Sequence, residues 1–137
     1  MASPVQNNQS SQLLVGIDVG STTAKIAVMD AASHEMLMRR YVRHHAQQAN
    51  CLKSLLAELD QRFEGIPMRA ALCGSGGAAL AEALDLPYVQ EVVANSLAVG
   101  ANYPTARTAI ELGGQDAKMI FLSLIHISEP TRQAEIS

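Results

Sequence analysis

A turn of Gly, Ser and Thr residues between two apolar segments constrains the fold of this chain more than any other feature. Residues 13–17 form an uninterrupted apolar run, which predicts a strand buried on both faces. Residues 19–23 supply the turn, because Gly allows a tight backbone path and Ser and Thr bond locally to the backbone. Residues 24–29, which are apolar except for Lys25, resume as a strand. The sequence therefore predicts a hairpin of two strands.

The remaining pattern alternates between strands and helices. Residues 35–43 alternate between apolar and polar types, which predicts a third strand. A helix is predicted next, from apolar residues at helical spacing: Leu52, Leu55, Leu56, Leu59 and Phe63. The later predicted elements are a strand at 69–73, helices at 78–84 and 91–103, and strands at 107–112 and 117–121. This order predicts an α/β fold with a mixed sheet.

Composition excludes several classes of protein. A chain with 48% hydrophobic and 17% charged residues has the composition of an ordinary globular domain. Its net charge of −3 offers no basic surface for nucleic acid, and its apolar runs are far shorter than the roughly 18 residues of a membrane helix. Cys51 and Cys73 lack CxxC spacing, which argues against a disulfide framework or a zinc site. Without a signal peptide in the polar segment 1–12, a cytoplasmic location is expected.

The first turn gives the strongest chemical signal in the chain, GIDVGSTTAK at residues 16–25. Gly20 allows a ligand to approach the backbone closely, and successive N–H groups in such a turn form a concave anion site. Lys25 starts the returning strand, from which its ammonium can reach back over the loop. Further donors come from three hydroxyl residues, Ser21, Thr22 and Thr23. Taken alone, the segment is also compatible with a plain hairpin that has Asp and Gly at its turn.

A second turn of similar composition, ELGGQDAK at residues 111–118, again sets paired glycines and an Asp between two predicted strands. Asp18 in the first turn cannot bind phosphate directly, because like charges repel. A carboxylate beside a phosphate site makes chemical sense when a hydrated Mg²⁺ lies between them. Two such hairpins that face each other would hold the phosphates of a nucleotide from both sides.

Together the two turns resemble the phosphate motifs of the actin, heat-shock-70 and sugar-kinase superfamily of ATPases. Three motifs in order, GIDVGSTTAK, ALCGSGGAALAEALDLPYVQEV and ELGGQDAK, more narrowly resemble the activator (activase) family of 2-hydroxyacyl-CoA dehydratases and benzoyl-CoA reductases. The long acyl-CoA dehydratase activases are the most similar, through their N-terminal activator region. The resemblance extends over residues 14–121.

This resemblance implies an ATP hydrolase with two ribonuclease-H-like domains. Such an activator is a homodimer or internal pseudo-dimer around one [4Fe–4S] cluster, and it uses ATP to drive a low-potential electron into a partner dehydratase or reductase. The implied cofactors are ATP and Mg²⁺, with the [4Fe–4S] cluster expected only in the full-length protein. Its cluster ligands lie in a downstream Cys-containing stretch, so none is expected here, and Cys51 and Cys73 are interpreted as small buried apolar residues.

The resemblance also implies roles for individual residues. Asp18 and Asp116 would hold Mg²⁺ through water, and Gln115 with Asp116 would order the attacking water. Backbone and side-chain contacts with the phosphates would come from Gly20, Ser21, Thr22, Thr23, Lys25, Gly113 and Gly114. Two positions depart from the family pattern: Glu111 stands where shorter activators usually carry Asp, and Gln115 where long activases often carry Glu.

The expected organisation has four parts. Residues 1–12 are a flexible leader, 13–105 a first ATPase lobe with a mixed sheet, and 106–121 the first hairpin of a truncated second lobe. Residues 122–137, LSLIHISEPTRQAEIS, resemble the translation of a sequencing-library adapter and are interpreted as non-native. The alternative is that residues 121–128 form an amphipathic strand. As a fragment, the chain is expected to have no ATPase activity.

Two other functions stay open at this point: another enzyme of the superfamily, such as a sugar kinase or polyphosphatase, and a non-catalytic actin-like scaffold. Several lesser features are interpreted as structural. We expect His44 and His45 to be solvated or capping residues, and the arginines at 39, 40 and 43 to form a solvated edge. The loop at 74–77 suits a turn before a helix as well as a wall of the nucleotide cleft. Asn95 and Ser96 are candidates for a domain hinge.

Overall fold

The computed structural model describes residues 11–113 and 116–122. Each strand and helix predicted from the sequence is present in these ranges. In chain order they are β1 (Leu13–Val19), β2 (Thr23–Asp30), β3 (Met36–Arg43), α1 (Gln48–Arg62), β4 (Met68–Cys73), α2 (Gly77–Leu84), α3 (Glu91–Asn102), β5 (Thr108–Leu112) and β6 (Ala117–Phe121). Of the segment interpreted as non-native, and of the alternative strand at 121–128, everything beyond Leu122 lies outside the described residues.

The strands form two sheets. The larger sheet has the order β3-β2-β1-β4, in which β1 pairs antiparallel with β2 and parallel with β4. The smaller sheet is the antiparallel hairpin β5–β6. The predicted mixed α/β fold is therefore confirmed. The division between lobes at residue 105 stays a prediction, although the hairpin does belong to a separate sheet.

One face of the larger sheet forms the hydrophobic core with α1 and α2. Residues of β1 and β2 that point to this face are buried, and α1 covers them with an apolar stripe. The core consists chiefly of Leu13, Val15, Ile17, Val19, Ala24, Ile26, Val28, Met38, Leu52, Leu55, Leu59, Leu72 and Ala81. Leu56 and Phe63, the other two members of the predicted stripe, are partly buried against it.

The opposite face of the sheet is more open than the sequence suggested. In β1 the burial alternates, and Leu14 and Asp18 are half-buried while Gly16 is exposed. The prediction of a strand buried on both faces is wrong for the part of the chain that the structure describes, because α1 packs on one face only. This alternation directs Asp18 and Lys25 away from the core.

Two interpretations of basic residues have different outcomes. The three arginines on the edge strand β3 are exposed, as expected, and Arg40 forms an ion pair with Glu58. His45 is exposed, but His44 is only 3% exposed. Of the two alternatives for His44, solvated or capping, the solvated one is therefore wrong. Its ring is buried because both ring nitrogens have backbone hydrogen-bond partners. Within the described ranges, no helix has the length and apolar character needed to cross a membrane.

Candidate functional site

A cavity of about 840 Å³ lies where the first turn, the start of α3 and the β5–β6 hairpin meet. Both predicted phosphate loops contribute to it, although they are far apart in sequence. The predicted residues that line it are Asp18, Gly20, Ser21, Thr22, Thr23, Lys25, Gly113 and Asp116. Gly114 and Gln115, the other two predicted site residues, lie outside the described residues. The structure therefore brings every described candidate into one cavity.

The first turn places an ion pair at the wall of the cavity. Asp18 and Lys25 are opposite each other in the β1–β2 register, and Lys25 Nζ donates to Asp18 Oδ2 over 2.7 Å. Partial burial opposes the charge on Lys25, but the hydrogen bond and the charge of Asp18 outweigh it and raise the pKa of Lys25. The ammonium is thus directed to Asp18, whereas the sequence analysis placed it over the phosphate loop.

The second oxygen of Asp18 is packed against a glycine. Asp18 Oδ1 is buried and has no hydrogen-bond partner among the described residues. Gly74 lies beside it with φ +91°, and a Cβ built at Gly74 would come within 2.4 Å of both Asp18 Oδ1 and the carbonyl oxygen of Val19. Only glycine fits this position, because it satisfies both the positive φ and the close approach.

The loop at 74–77 is both a structural turn and a wall of the cavity. The Gly76 N–H donates to the carbonyl of Val19 over 2.8 Å, and Tyr88 Oη donates to the carbonyl of Gly74 over 3.1 Å. Ser75 and the thiol-bearing Cys73 line the cavity. The loop is therefore a turn before α2 that also lines the cavity, and its assignment to a nucleotide cleft stays a prediction.

The hairpin is joined to α3 by two polar contacts. Asn95 Nδ2 donates to Glu111 Oε2 over 2.7 Å, and Lys118 Nζ donates to Glu91 Oε2 over 2.8 Å. Glu111 and Lys118 are opposite each other in the β5–β6 register. Asn95, a hinge candidate from the sequence, thus contacts the second loop directly.

These contacts and burial shift the pKa values of two carboxyl groups in the cavity, Glu91 and Glu111, in opposite directions. The hydrogen bond from Lys118 holds the pKa of Glu91 below its usual value. Burial, together with neighbouring Glu91, raises the pKa of Glu111. The bond to Glu91 also raises the pKa of Lys118. Because ionised Glu91 disfavours a second charge nearby, Glu111 is the group that takes up a proton first as the pH falls.

Sequence reasoning missed several cavity residues. Arg43 at the end of β3 adds a guanidinium to the wall, and Tyr41 lies nearby with its ring centroid 5.7 Å from Lys25 Nζ. Glu91 lies within the second quoted motif, but no role of its own was predicted for it. Only the fold shows that these residues line the cavity. Tyr41 and Arg43 lie in the last three residues of β3, and Glu91 begins α3.

The cavity has the donor types that a hydrated Mg²⁺ and a polyphosphate need. Its carboxylates are Asp18, Glu91, Glu111 and Asp116, and its cations are Lys25, Arg43 and Lys118. No group of three or more His, Cys, Asp or Glu residues in the described ranges could hold a metal ion directly. The carboxylates that line the cavity, among them Asp18 with its orphaned Oδ1, fit a hydrated Mg²⁺ that they would hold through water.

Comparisons with known proteins agree with this fold. No protein-family model and no curated protein sequence matches the chain. Among solved structures, component A of the (R)-2-hydroxyglutaryl-CoA dehydratase of Acidaminococcus fermentans matches with a TM-score of 0.70 and 23% identity, over 82% of this chain and 44% of its own. The activator of the 2-hydroxyisocaproyl-CoA dehydratase from Clostridium difficile, solved with bound ADPNP, matches with a TM-score of 0.60 and 20% identity, over 84% of this chain and 42% of its own.

More distant structures share the fold as well. The PPX-GPPA enzyme of Aquifex aeolicus matches with a TM-score of 0.52 and 11% identity, over 81% of this chain and 48% of its own. The chain thus spans less than half the length of each of these structures. At these identities the likeness establishes the fold alone, which this chain shares with the two dehydratase activators.

Proposed function

We propose that this chain is the nucleotide-binding first part of an ATP-dependent activator. In the full-length protein, ATP hydrolysis would be coupled to low-potential electron transfer from a [4Fe–4S] cluster to an acyl-CoA dehydratase or reductase. The activator reading draws on the three sequence motifs and on the fold shared with two dehydratase activators. A cytoplasmic location and a dimeric or pseudo-dimeric assembly are part of the same proposal.

One observation carries the nucleotide-binding part of this proposal: both glycine loops line the same cavity. Asp18 belongs to the first hairpin and Asp116 to the second, yet both face the space between them. A plain hairpin at residues 16–25 would give no reason for a second acidic, glycine-containing turn to lie opposite. A volume of about 840 Å³ is in the range of small-molecule sites.

Each wall of the cavity has a distinct part in the proposal. The loop from Gly20 to Thr22 offers backbone N–H groups and hydroxyls to the β- and γ-phosphates. Asp18 would hold Mg²⁺ through water, and the hydrogen bond from Lys25 keeps its carboxylate oriented. When bound, Mg²⁺ supplies neutralisation of the charge that develops during phosphoryl transfer. Gln115 and Asp116 are proposed to order the attacking water.

The iron–sulfur cluster is assigned to the rest of the full-length protein. Cys51 lies on α1 and Cys73 at the end of β4, and both are half-buried free thiols. The described residues contain no group of three or more His, Cys, Asp or Glu side chains that could hold a metal ion.

Calorimetry on the 137-residue chain tests nucleotide binding. We expect Mg·ADPNP to bind and binding to weaken strongly when EDTA removes Mg²⁺. Asp18→Asn should lose most of the Mg²⁺ dependence, whereas Asp60→Asn, which changes an exposed carboxylate on α1, should bind like the wild type. Absence of Mg·ADPNP binding by the wild-type chain contradicts the proposal. The chain itself should not hydrolyse ATP, because it spans under half of the matched structures.

The full-length gene separates the activator from the other enzymes of the superfamily. The activator proposal expects a stretch such as Cys-x-x-Gly-Thr-Gly in the next domain, and ATP hydrolysis that supports reduction of a partner. A sugar kinase or polyphosphatase would instead carry a substrate-binding acid and no such cysteine. A scaffold would bind nucleotide without hydrolysis and polymerise at full length.

A further inference from the structure

The buried ring of His44 is an unexpected part of the first loop. His44 directly follows β3, whose last residue Arg43 pairs with Thr23 at the start of β2. Its side chain is not among the residues that line the cavity. Its Nε2 lies 2.9 Å from the carbonyl oxygen of Gly20, and its Nδ1 accepts the Ala46 N–H over 3.1 Å. Both ring nitrogens are therefore engaged with backbone groups.

This pair of contacts fixes the tautomer of the ring. Because Nδ1 accepts a hydrogen bond from an N–H group, it carries no proton. Nε2 of the neutral ring then carries the proton and donates it to the Gly20 carbonyl. A ring in this state is a directional donor aimed at one atom of the loop.

The turn after His44 adopts a costly conformation that maintains the contact. His45 has φ +48° and Ala46 has φ +63°, so two consecutive residues other than glycine are left-handed. The Gln47 N–H closes the turn by donating to the His44 carbonyl over 2.8 Å. Strained turns of this kind persist only where the surrounding structure holds them in place, and this turn presents the Ala46 N–H to the ring.

His44 also controls the direction of two carbonyl groups in the loop. Its ring holds the Gly20 carbonyl, and its backbone N–H donates to the Thr22 carbonyl over 3.2 Å. Both carbonyls thus point to His44, away from the cavity that their residues line. The N–H groups of Ser21 and Thr22, by contrast, donate to no group in the described part of the chain. A loop is suited to binding an anion when its carbonyls point away from the cavity and its N–H groups have no partner in the described part of the chain.

We propose that neutral His44 is a positioning residue for nucleotide binding. By holding the Gly20 carbonyl away from the cavity, it keeps the N–H groups of Ser21 and Thr22 available to the phosphates of the nucleotide. The inference rests on the proposed nucleotide-binding function and adds to it a residue that contacts no phosphate itself.

Two substitutions separate the two ring contacts. In His44→Gln, the amide nitrogen stands as many bonds from Cα as Nε2 does, so the donor to Gly20 is retained and the acceptor for Ala46 is lost. In His44→Asn, the amide oxygen stands as many bonds from Cα as Nδ1 does, so the acceptor is retained and the donor is lost. Both variants bury one amide, but the shorter Asn leaves the larger gap, so urea unfolding of both variants measures how much each loses through packing alone. His45→Asn, a change at the exposed neighbour, is the control.

Mg·ADPNP affinity, measured by calorimetry on the 137-residue chain, is the readout. We expect His44→Asn to bind about tenfold more weakly, and His44→Gln and His45→Asn to stay within about twofold of the wild type. Equal losses in the Gln and Asn variants, or wild-type affinity in the Asn variant, would overturn the inference. If the wild-type chain fails to bind, the nucleotide-binding function fails and the inference fails with it.

A spectroscopic measurement tests the ring without nucleotide. Long-range ¹H–¹⁵N spectra of the histidine-labelled chain at neutral pH should show His44 with an unprotonated Nδ1 and a protonated Nε2. The amide shifts of Ser21 and Thr22 should change in His44→Asn and change little in His44→Gln. A ring protonated at Nδ1 would contradict the proposal, even if the variants unfold.

Discussion

Lys118 on β6 donates a 2.8 Å hydrogen bond to Glu91 at the start of α3, and this contact joins the β5–β6 hairpin to that helix. Both side chains are largely shielded, with exposed fractions of 29% and 25%. Without this pair, the hairpin would be connected to α3 chiefly through Asn95 and Glu111. The relative position of the two loops, and therefore the shape of the cavity, depends on these two contacts.

Lys118→Met should loosen the hairpin. The substitution removes the positive charge that pairs with Glu91, so the carboxylates of the cavity repel one another more strongly. We expect the free energy of unfolding to fall by about 0.5–1 kcal/mol. Hydrogen exchange of the β5–β6 amides should accelerate, while the amides of β1 and β2 stay protected. Lys53→Met on the exposed side of α1 serves as the control. Unchanged exchange in β5–β6 would show that the ion pair does not hold the hairpin.

The same contact predicts a loss of stability in acid. Because Lys118 lowers the pKa of Glu91, ionised Glu91 stabilises the folded state at pH values above the usual carboxyl pKa of 4.5. This contribution is lost as the pH falls below 4.5 and through the lower pKa of the folded state. Denaturant unfolding as a function of pH should show this acid phase, and Glu91→Gln should remove it. If Glu91→Gln shows the same acid phase as the wild type, other carboxylates cause this phase.

Glu111→Gln should separate stability from function. Burial and the charge of Glu91 raise the pKa of Glu111, so the folded state favours its protonated form. The stability that this protonated form contributes is lost as the pH rises through the raised pKa. A neutral amide that still accepts from Asn95 avoids this loss, so the melting temperature at pH 7 should rise by a few degrees. If Glu111 faces Mg²⁺ in the cavity, Mg·ADPNP affinity should fall at the same time. A variant that is both more stable and equally tight in binding would argue against a role in the metal site.

Most of the framework of this site was predictable from local sequence. The strands and helices follow from apolar periodicity. Gly and Asp residues mark both loops, and the first loop has hydroxyl residues as well. That Asp18 and Asp116 line one cavity was also expected, since the two turns have matching chemistry. Local patterns suffice here because each loop is a single hairpin whose residues are neighbours in sequence.

The missed features all depend on contacts between distant segments. His44 reaches Gly20 only because the β2–β3 register places Arg43 opposite Thr23. No short pattern encodes that register, so the histidine looked solvated. Lys25 contacts Asp18 instead of extending over the loop, and this contact similarly depends on the pairing of the two residues across β1 and β2. The open face of β1 escaped prediction because an apolar run does not show how many layers cover it.

Cys73 should be an unreactive thiol at neutral pH despite its place at the cavity. Burial, with the nearby charge of Asp18, raises its pKa to about 11. In a Cys51→Ser background, the rate of alkylation by iodoacetamide should rise with pH toward a midpoint near 11. The urea-unfolded chain should react with a midpoint near the ordinary value of 9.0. The corresponding stabilisation is present below pH 9 and is lost as the pH rises through 11. Fast alkylation of the folded chain at pH 8 would contradict the assignment.

Gly20 and Gly74 form a matched pair that distinguishes a glycine needed by the ligand from one needed by the fold. A Cβ at Gly20 would meet nothing closer than the Thr23 carbonyl oxygen at 3.6 Å, an ordinary contact, whereas a Cβ at Gly74 would come within 2.4 Å of Asp18 and Val19. Gly74→Ala should therefore destabilise the chain by about 3 kcal/mol, because positive φ and steric overlap both oppose it.

Gly20→Ala should leave the free energy of unfolding within about 0.5 kcal/mol of the wild type, as for a substitution that meets no clash. Its Mg·ADPNP affinity should nevertheless fall about tenfold or more, because the added methyl group occupies space that the phosphates need. Urea unfolding and calorimetry on the same preparations measure the two quantities. If Gly20→Ala binds as tightly as the wild type, the phosphates do not approach the backbone at Gly20, and the first loop must contact the nucleotide through its side chains instead.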